Sequence, residues 1–119
     1  MIPLPTQEEF EALYASDLQG PQVIYFTASW CGPCRGIDKA LIESSCKNVR
    51  MFLCDVDVNG YTPGYCGVRS IPSFLVLKPN APSSASSASS VAKPKNITVG
   101  PYQNSKTADV ISWIQANTS

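Results

Sequence analysis

The sequence contains no histidine, and only 15% of its 119 residues are charged. Without histidine, the chain lacks the commonest general base and the commonest metal ligand of proteins. Nine Lys and Arg residues balance nine Asp and Glu residues, so the formal net charge at pH 7 is zero. Because no basic excess is present to neutralise phosphates, nucleic acid is not a predicted partner. Cysteine is the residue type that remains to carry out catalysis.

Long apolar segments are also missing. No run approaches the roughly 18 residues that a membrane-spanning helix needs, so a membrane partner is not predicted. Residues 1–9 do not combine a positively charged stretch with an apolar one, so a secretory signal is not predicted either. We expect a cytoplasmic location and a monomer.

The length of 119 residues suits a single domain and is too short for two. The hydrophobic content of 44% is typical of a globular fold. Residues 81–92 form a low-complexity insert of six Ser, four Ala and two other residues, a composition that does not bury enough surface to order itself. We expect this insert to lengthen a loop between two strands without splitting the domain, and we assign it no specific function.

The pattern of apolar residues predicts alternating helices and strands. Helices are predicted over residues 7–18, 32–46 and a last segment that includes 108–114, with a short irregular helix within 59–67. Strands are predicted over 22–27, 51–56, 73–77 and 96–99, with residues 2–4 as an edge strand at most. Thr6 and Glu9 have the spacing of a capping box at the start of the first helix. This order predicts an α/β sandwich in which helices cover both faces of a central mixed β-sheet.

Two of the five cysteines stand in the segment Cys31-Gly32-Pro33-Cys34, between a predicted strand and a predicted helix. Free amides and the dipole at a helix N-terminus favour a thiolate over a thiol. The spacing of three residues places both sulfur atoms on one side of the first turn, and Pro33 there removes no helical hydrogen bond. The segment predicts a redox dithiol in which Cys31 attacks a substrate disulfide and Cys34 resolves the mixed disulfide.

Other interpretations of this pair stay open at this point. The two residues could be structural cysteines, half of a zinc or iron–sulfur site, or a metal or cluster site shared by the dithiols of two chains. A zinc site without histidine would recruit two ligands from Cys46, Cys54 and Cys66, which form no second Cys-x-x-Cys motif. Burial as small apolar side chains is the ordinary interpretation of these three cysteines.

The segment Trp30-Cys31-Gly32-Pro33-Cys34 resembles the active site of the thioredoxin family. Arg69-Ser70-Ile71-Pro72-Ser73 resembles the cis-proline loop of that family, and Val99-Gly100-Pro101 resembles its third substrate-facing loop. The predicted order of elements also matches the family over nearly the whole chain, apart from the insert.

The resemblance implies the thioredoxin fold and a protein-disulfide reductase with no bound cofactor beyond the redox-active disulfide Cys31–Cys34. It implies that the Ile71–Pro72 bond is cis and that the backbone beside it pairs with a substrate segment like an added strand. The implied active-site loop and docking surface consist of Trp30, Gly32, Pro33, Ser70, Ile71, Pro72 and Gly100. Ordinary packing is the alternative interpretation of Trp30 and Ile71.

The resemblance also implies partners. Disulfide-containing proteins are the implied substrates, and an NADPH-dependent thioredoxin reductase is the implied electron donor, with glutathione or a glutaredoxin as alternatives. The pair Gly32-Pro33 is similar to that of reducing thioredoxins, whereas protein disulfide isomerases typically carry Gly-His.

The sequence departs from the family at three positions. Tyr25 stands where the family usually has a buried Asp that moves the proton of the resolving cysteine, and Leu53 stands where a Lys often lies beside it. Lys39 replaces a proline that commonly kinks the active-site helix. Because burial without a base disfavours thiol ionisation, we expect slow resolution by Cys34, with the Tyr25 hydroxyl as a candidate proton relay. A thioredoxin-fold binding or redox-sensor module with little turnover is the alternative function.

Cys66 lies six residues before Pro72, where some animal thioredoxins carry an additional regulatory cysteine. Regulation through oxidation or dimerisation at Cys66 is therefore one interpretation, and simple burial is the other.

Overall fold

The computed structural model describes residues 1–79 and 96–118. The insert predicted at 81–92 lies outside the described residues.

Within the described residues, five strands form one mixed sheet. They are β1 (Ile2–Pro3), β2 (Gln22–Thr27), β3 (Arg50–Asp55), β4 (Ser73–Pro79) and β5 (Asn96–Gln103). Their order in the sheet is β1-β3-β2-β4-β5. Strand β3 is parallel to β1 and β2, whereas β4 is antiparallel to β2 and β5. The short β1 is an edge strand, as the sequence predicted.

Four α-helices and one short 3-10 helix accompany the sheet in the same part of the chain. They are α1 (Gln7–Tyr14), the 3-10 helix (Pro33–Gly36), α2 (Lys39–Ser45), α3 (Tyr61–Tyr65) and α4 (Thr107–Thr118). One apolar cluster joins α2 and α4 to one face of the sheet, and a second joins α1 to the opposite face. The predicted α/β sandwich with helices on both faces is confirmed.

Helix α1 begins as predicted and ends early. The Thr6 hydroxyl accepts a hydrogen bond from the backbone N–H of Glu9 at 3.1 Å, which is the capping contact expected from the sequence. The helix ends at Tyr14, so its predicted extension to residue 18 is wrong. The Ser16 hydroxyl and backbone N–H both donate to the carbonyl of Leu13, which closes a tight turn in place of a further helical turn.

The continuous helix predicted over 32–46 is also wrong, because the backbone at Ile37 is extended (φ −82°, ψ 121°). The Asp38 carboxylate starts α2 anew by accepting from the N–H of Leu41 at 3.0 Å. The Thr107 hydroxyl of α4 spans the break, since it donates to the Gly36 carbonyl at 3.1 Å and accepts from the Asp38 N–H at 3.0 Å. The helix is thus interrupted without a proline at this point. The side chains of Asp38 and Thr107 form hydrogen bonds with the backbone groups that the interruption leaves unpaired.

Strand β5 continues four residues beyond its predicted end at residue 99. Gly100 has a positive φ of 106°, a conformation that residues with a Cβ rarely adopt. A Cβ there would also lie 3.0 Å from the carbonyl oxygen of Phe74. A shift in register between Phe74 and Val76 lets β4 follow β5 through this position.

Candidate active site

The dithiol lies at the edge of the sheet where the parallel strands β2 and β3 end. Strand β2 ends at Thr27, and the chain then reaches Cys31 and Cys34, which form a disulfide with their Cα atoms 5.3 Å apart. Cys31 is 3% exposed and Cys34 is 7% exposed. The backbone N–H of Cys34 donates to the sulfur of Cys31 at 3.2 Å. This amide would stabilise negative charge on Cys31 in the reduced protein, which is the sulfur expected to attack.

A mainly apolar groove of about 490 Å³ opens beside this disulfide. Among its lining residues are Trp30, Cys31, Gly32, Pro33, Ser70 and Ile71. The Ile71–Pro72 bond is cis, as the resemblance implied, and Pro72 is buried. The structure thus brings most of the predicted docking residues around one groove, although Pro72 and Gly100 are not among the residues that line it. Their part in binding substrates stays a prediction.

Trp30 is held in place by a residue that the sequence analysis missed. Trp30 itself is 64% exposed, so ordinary core packing does not account for it. The indole N–H donates to Asp57 Oδ1 at 3.1 Å, and the backbone N–H of Asp57 donates to Asp55 Oδ1 at 2.9 Å. The signal that could have revealed Asp57 is the pair of aspartates at the end of β3, at the same sheet edge as the dithiol.

Tyr25 and Leu53 are neighbours, as their family positions imply, because they are paired residues of β2 and β3. The Tyr25 ring is 2% exposed and stacks on Phe74 with 4.7 Å between ring centroids. Its hydroxyl donates to the backbone carbonyl of Cys34 at 3.5 Å. Burial raises the pKa of Tyr25 above its ordinary value, and a hydrogen bond with the Thr27 side chain partly opposes this shift. The relay role of this hydroxyl stays a prediction.

The remaining cysteines are not disulfide-bonded. Cys46 and Cys54 are buried and Cys66 is partly buried, so simple burial holds for the first two. Burial raises the pKa of the Cys46 thiol, and it raises the pKa of Cys54 to about 11 with a smaller contribution from nearby Asp55. Burial, aided by Cys54, raises the pKa of Cys66 to about 12. A regulatory role of Cys66 stays a prediction.

Two further observations concern other kinds of site. Within residues 1–79 and 96–118, no group of three or more Cys, Asp or Glu side chains is placed to hold a metal ion. No helix of the described chain is both long enough and apolar enough to span a membrane.

Comparison with known proteins identifies the class of protein. The family model for thioredoxin matches residues 2–98. Thioredoxin of Haemophilus influenzae is 39% identical over 74 residues, which cover 59% of this chain and 67% of that protein. Thioredoxin Asp f 28 of Aspergillus fumigatus is 37% identical over 75 residues, which cover 61% of this chain and 67% of that protein. The chain belongs to the thioredoxin family.

Other relatives are matched over a smaller share of their length. The chloroplastic M-type thioredoxin of Brassica napus is 35% identical over 79 residues, which cover 64% of this chain and 44% of that protein. The chain spans 33% and 52% of two Arabidopsis thaliana relatives, thioredoxins M2 and O2.

Solved structures share the fold. Fasciola hepatica thioredoxin matches with a TM-score of 0.71 and 22% identity, covering 98% of both chains. Reduced Schistosoma mansoni thioredoxin matches with a TM-score of 0.72 and 22% identity, covering 97% of this chain and 95% of that one. The thioredoxin fold implied by the sequence is confirmed.

Proposed function

We propose that the chain is a protein-disulfide reductase whose redox centre is the pair Cys31 and Cys34. The observation that carries the proposal is a buried disulfide beside a mainly apolar groove, with a backbone amide aimed at the sulfur of Cys31. Membership of the thioredoxin family supports the same reaction class. The centre needs no bound cofactor, because the two sulfurs themselves carry the electron pair.

The reaction starts from the reduced dithiol. The Cys31 thiolate attacks one sulfur of a substrate disulfide, and the other substrate sulfur leaves as a thiolate. The Cys34 sulfur, after losing its proton, then attacks Cys31. The second substrate thiolate departs, and the two electrons of the dithiol remain on the substrate. The disulfide of this structure is the oxidised end state of that cycle.

Substrates of this reaction are disulfide-containing proteins that reach the dithiol in an extended form. Exposed Ser70 and half-buried Ile71 line the groove next to Cys31 and offer backbone groups to a substrate segment. The exposed Trp30 ring offers apolar contact area at the same place. Pro72 and Gly100 belong to this proposed docking surface through the family resemblance alone.

The electron donor in this proposal is a thioredoxin reductase that uses NADPH, with glutathione or a glutaredoxin as the alternative. The protein would thus transfer electrons from a cellular donor to protein disulfides. A reducing compartment such as the cytoplasm is the proposed location. The three cysteines without a disulfide support it, because thiols persist where glutathione and thioredoxin systems are active.

We further propose that residues 1–119 act as one monomeric domain. Strands β4 and β5 pair with each other although the low-complexity residues 81–92 separate them in the sequence. A loop insertion within one sheet agrees with this pairing better than a boundary between two domains.

Slow resolution by Cys34 also belongs to the proposal. At the two positions where the family usually has an Asp and often a Lys, this chain has the phenol of Tyr25 and the aliphatic side chain of Leu53, which are paired residues of β2 and β3. The same replacement favours the second candidate, a binding or redox-sensor module of the thioredoxin fold with little turnover.

A trapping experiment separates the two candidates. Cys34→Ser, mixed with insulin as the disulfide substrate, should accumulate a mixed disulfide through Cys31 because the resolving thiol is gone. Gel electrophoresis without reductant detects this adduct, and dithiothreitol should release it. Cys31→Ser is the matched control, since it keeps one thiol of the pair and removes the nucleophile. No adduct with Cys34→Ser, together with partner binding that survives loss of both cysteines, would favour the binding module.

A further inference from the structure

A second groove, of about 450 Å³, borders the Cys31–Cys34 disulfide on the side of Tyr25. The residues that matter here are Tyr25, Thr27, Cys34, Lys39, Leu53 and Asp55, all of which line it. Strand register explains the arrangement. Tyr25 pairs with Leu53, and the next pair on the same face of the sheet is Thr27 with Asp55. A carboxylate is therefore present two residues further along β3, towards the strand ends where the dithiol lies.

We propose that Asp55 is the proton acceptor for Cys34 during resolution, acting through water in this groove. The inference rests on the proposed function and deepens it, because it names the group that replaces the usual buried Asp. Asp55 is partly buried, and its Oδ1 is fixed by the backbone N–H of Asp57 at 2.9 Å. The groove has room for several water molecules, each of which needs about 30 Å³. Bridging water relays a proton between groups too far apart for a direct hydrogen bond.

Resolution of the mixed disulfide transfers one proton and one electron pair, and both are accounted for. Asp55 takes the proton of the Cys34 thiol as the Cys34 sulfur bonds to Cys31. The bond between Cys31 and the substrate sulfur breaks, and its electron pair leaves with the substrate. Asp55 then gives the proton to that departing thiolate or to solvent. In the opposite half-cycle, when a donor reduces the disulfide, the same carboxyl returns a proton to Cys34.

The charges around this groove support the assignment. Arg35 and Lys39 also line it, and their positive charges favour the thiolate form of Cys34. Tyr25 is the competing acceptor, but its hydroxyl donates to the Cys34 carbonyl and its pKa is raised by burial. The charged and titratable side chains that face the groove are Tyr25, Cys31, Cys34, Arg35, Lys39 and Asp55.

Single-turnover kinetics with Asp55→Asn test the inference. Reduced protein mixed with dithionitrobenzoate releases one coloured thiolate when Cys31 attacks and a second when Cys34 resolves. Asparagine keeps an oxygen to accept from the Asp57 amide, so the Trp30 contact is preserved and basicity alone is lost. We expect the second release to slow by about tenfold or more at pH 7 while the first is unchanged. Asp55→Glu, which keeps the carboxylate, should restore most of the rate.

The pH profile supplies a readout that a purely structural role would not change. Without the carboxylate, the second release should accelerate steeply with pH, because hydroxide takes over the proton. Glu11→Gln, which removes one negative charge from the exposed side of α1, is the matched control.

Two results would overturn the assignment: a second release unchanged in Asp55→Asn, or equal slowing of both releases. In either case, the proposed function is unaffected as long as the wild-type protein still releases the first thiolate when Cys31 attacks. Loss of that first release in the wild-type protein would instead contradict the proposed function itself.

Discussion

At the scale of single residues, Tyr25 fills space where the thioredoxin family usually places a carboxylate. Its ring is buried in the cluster beneath α2 and α4 and stacks on Phe74. The core gains aromatic contact area from this exchange, whereas position 25 no longer provides a base. Stability and rate of resolution are therefore expected to respond in opposite directions to changes at position 25.

Tyr25→Asp should accelerate resolution of the mixed disulfide, because it restores a carboxylate at the position where the family usually has one. The same change should lower the melting temperature, since replacing a buried aromatic ring by a small side chain typically costs about 3–5 kcal/mol. Stopped-flow kinetics below the melting transition measure the first effect, and thermal unfolding measures the second. Tyr25→Phe, which loses only the hydroxyl, separates loss of the relay from gain of the base. An unchanged single-turnover rate for Tyr25→Asp would refute this account of position 25.

Cys66 should remain a thiol under mild oxidation. Its pKa is raised to about 12 by burial, and the thiolate is the form that reacts with peroxide. Because a raised pKa keeps the proton bound, reactivity should be low at pH 7 and should increase as the pH rises towards that value. Peptide mass spectrometry after peroxide treatment measures this, with the unfolded protein as the reactive reference. Selective oxidation of folded Cys66 near pH 7 would support the regulatory interpretation instead.

At the scale of elements, the break at Ile37 separates the 3-10 helix that contains Cys34 from α2. The spacing of apolar residues could not reveal it, although Gly36 stands directly before Ile37 and Asp38 is a residue type favoured at helix N-caps. Its hydrogen bonds join Asp38 and Thr107, which are 69 residues apart. The contact between Trp30 and Asp57 was missed for the same reason, since it depends on how two strand ends meet.

Features that depend on local spacing were predicted well. The capping contact of Thr6, the buried strand β2 and the bridge between Cys31 and Cys34 all follow from residues close together in the chain. The groove beside Asp55 needs the register of β2 against β3, which a single sequence does not specify. The redox pair Cys31 and Cys34 could thus be predicted from the sequence. The groups that surround this pair could be identified only from the fold.

Asp38→Ala should destabilise the protein by about 0.5–2 kcal/mol, because the first amides of α2 lose their side-chain acceptor. Urea unfolding of the oxidised protein measures this loss as a lower midpoint. Asp38→Asn is the control, as its side-chain oxygen can still accept from the Leu41 amide. Equal destabilisation by the two substitutions would show that charge, and not capping, is what Asp38 contributes.

At the scale of the whole molecule, the dithiol and the insertion point lie at opposite ends of one strand. Strand β4 starts at Ser73, directly after the cis proline, and ends at Pro79. The six steps from Ser73 to Pro79 cover about 20 Å, at roughly 3.3 Å per residue. The insertion point is therefore remote from the reacting sulfurs.

Deletion of residues 81–92 should leave disulfide reduction intact, because the deletion joins two paired strands far from the dithiol. Insulin reduction with dithiothreitol measures the activity of the shortened chain against the full chain. A large loss of activity in a shortened chain that still melts cooperatively would contradict this geometry and give the insert a role.

The proposed reductase acts between an electron donor and a protein disulfide, so turnover of insulin tests it most directly. The assay is run with NADPH and thioredoxin reductase, beside a second assay with dithiothreitol and a Cys31→Ser control. Turnover with dithiothreitol alone would keep the reductase and replace the donor by glutathione or a glutaredoxin. The account predicts turnover with both donors and none with Cys31→Ser. Absence of turnover with either donor would contradict it and leave the binding module as the function of this fold.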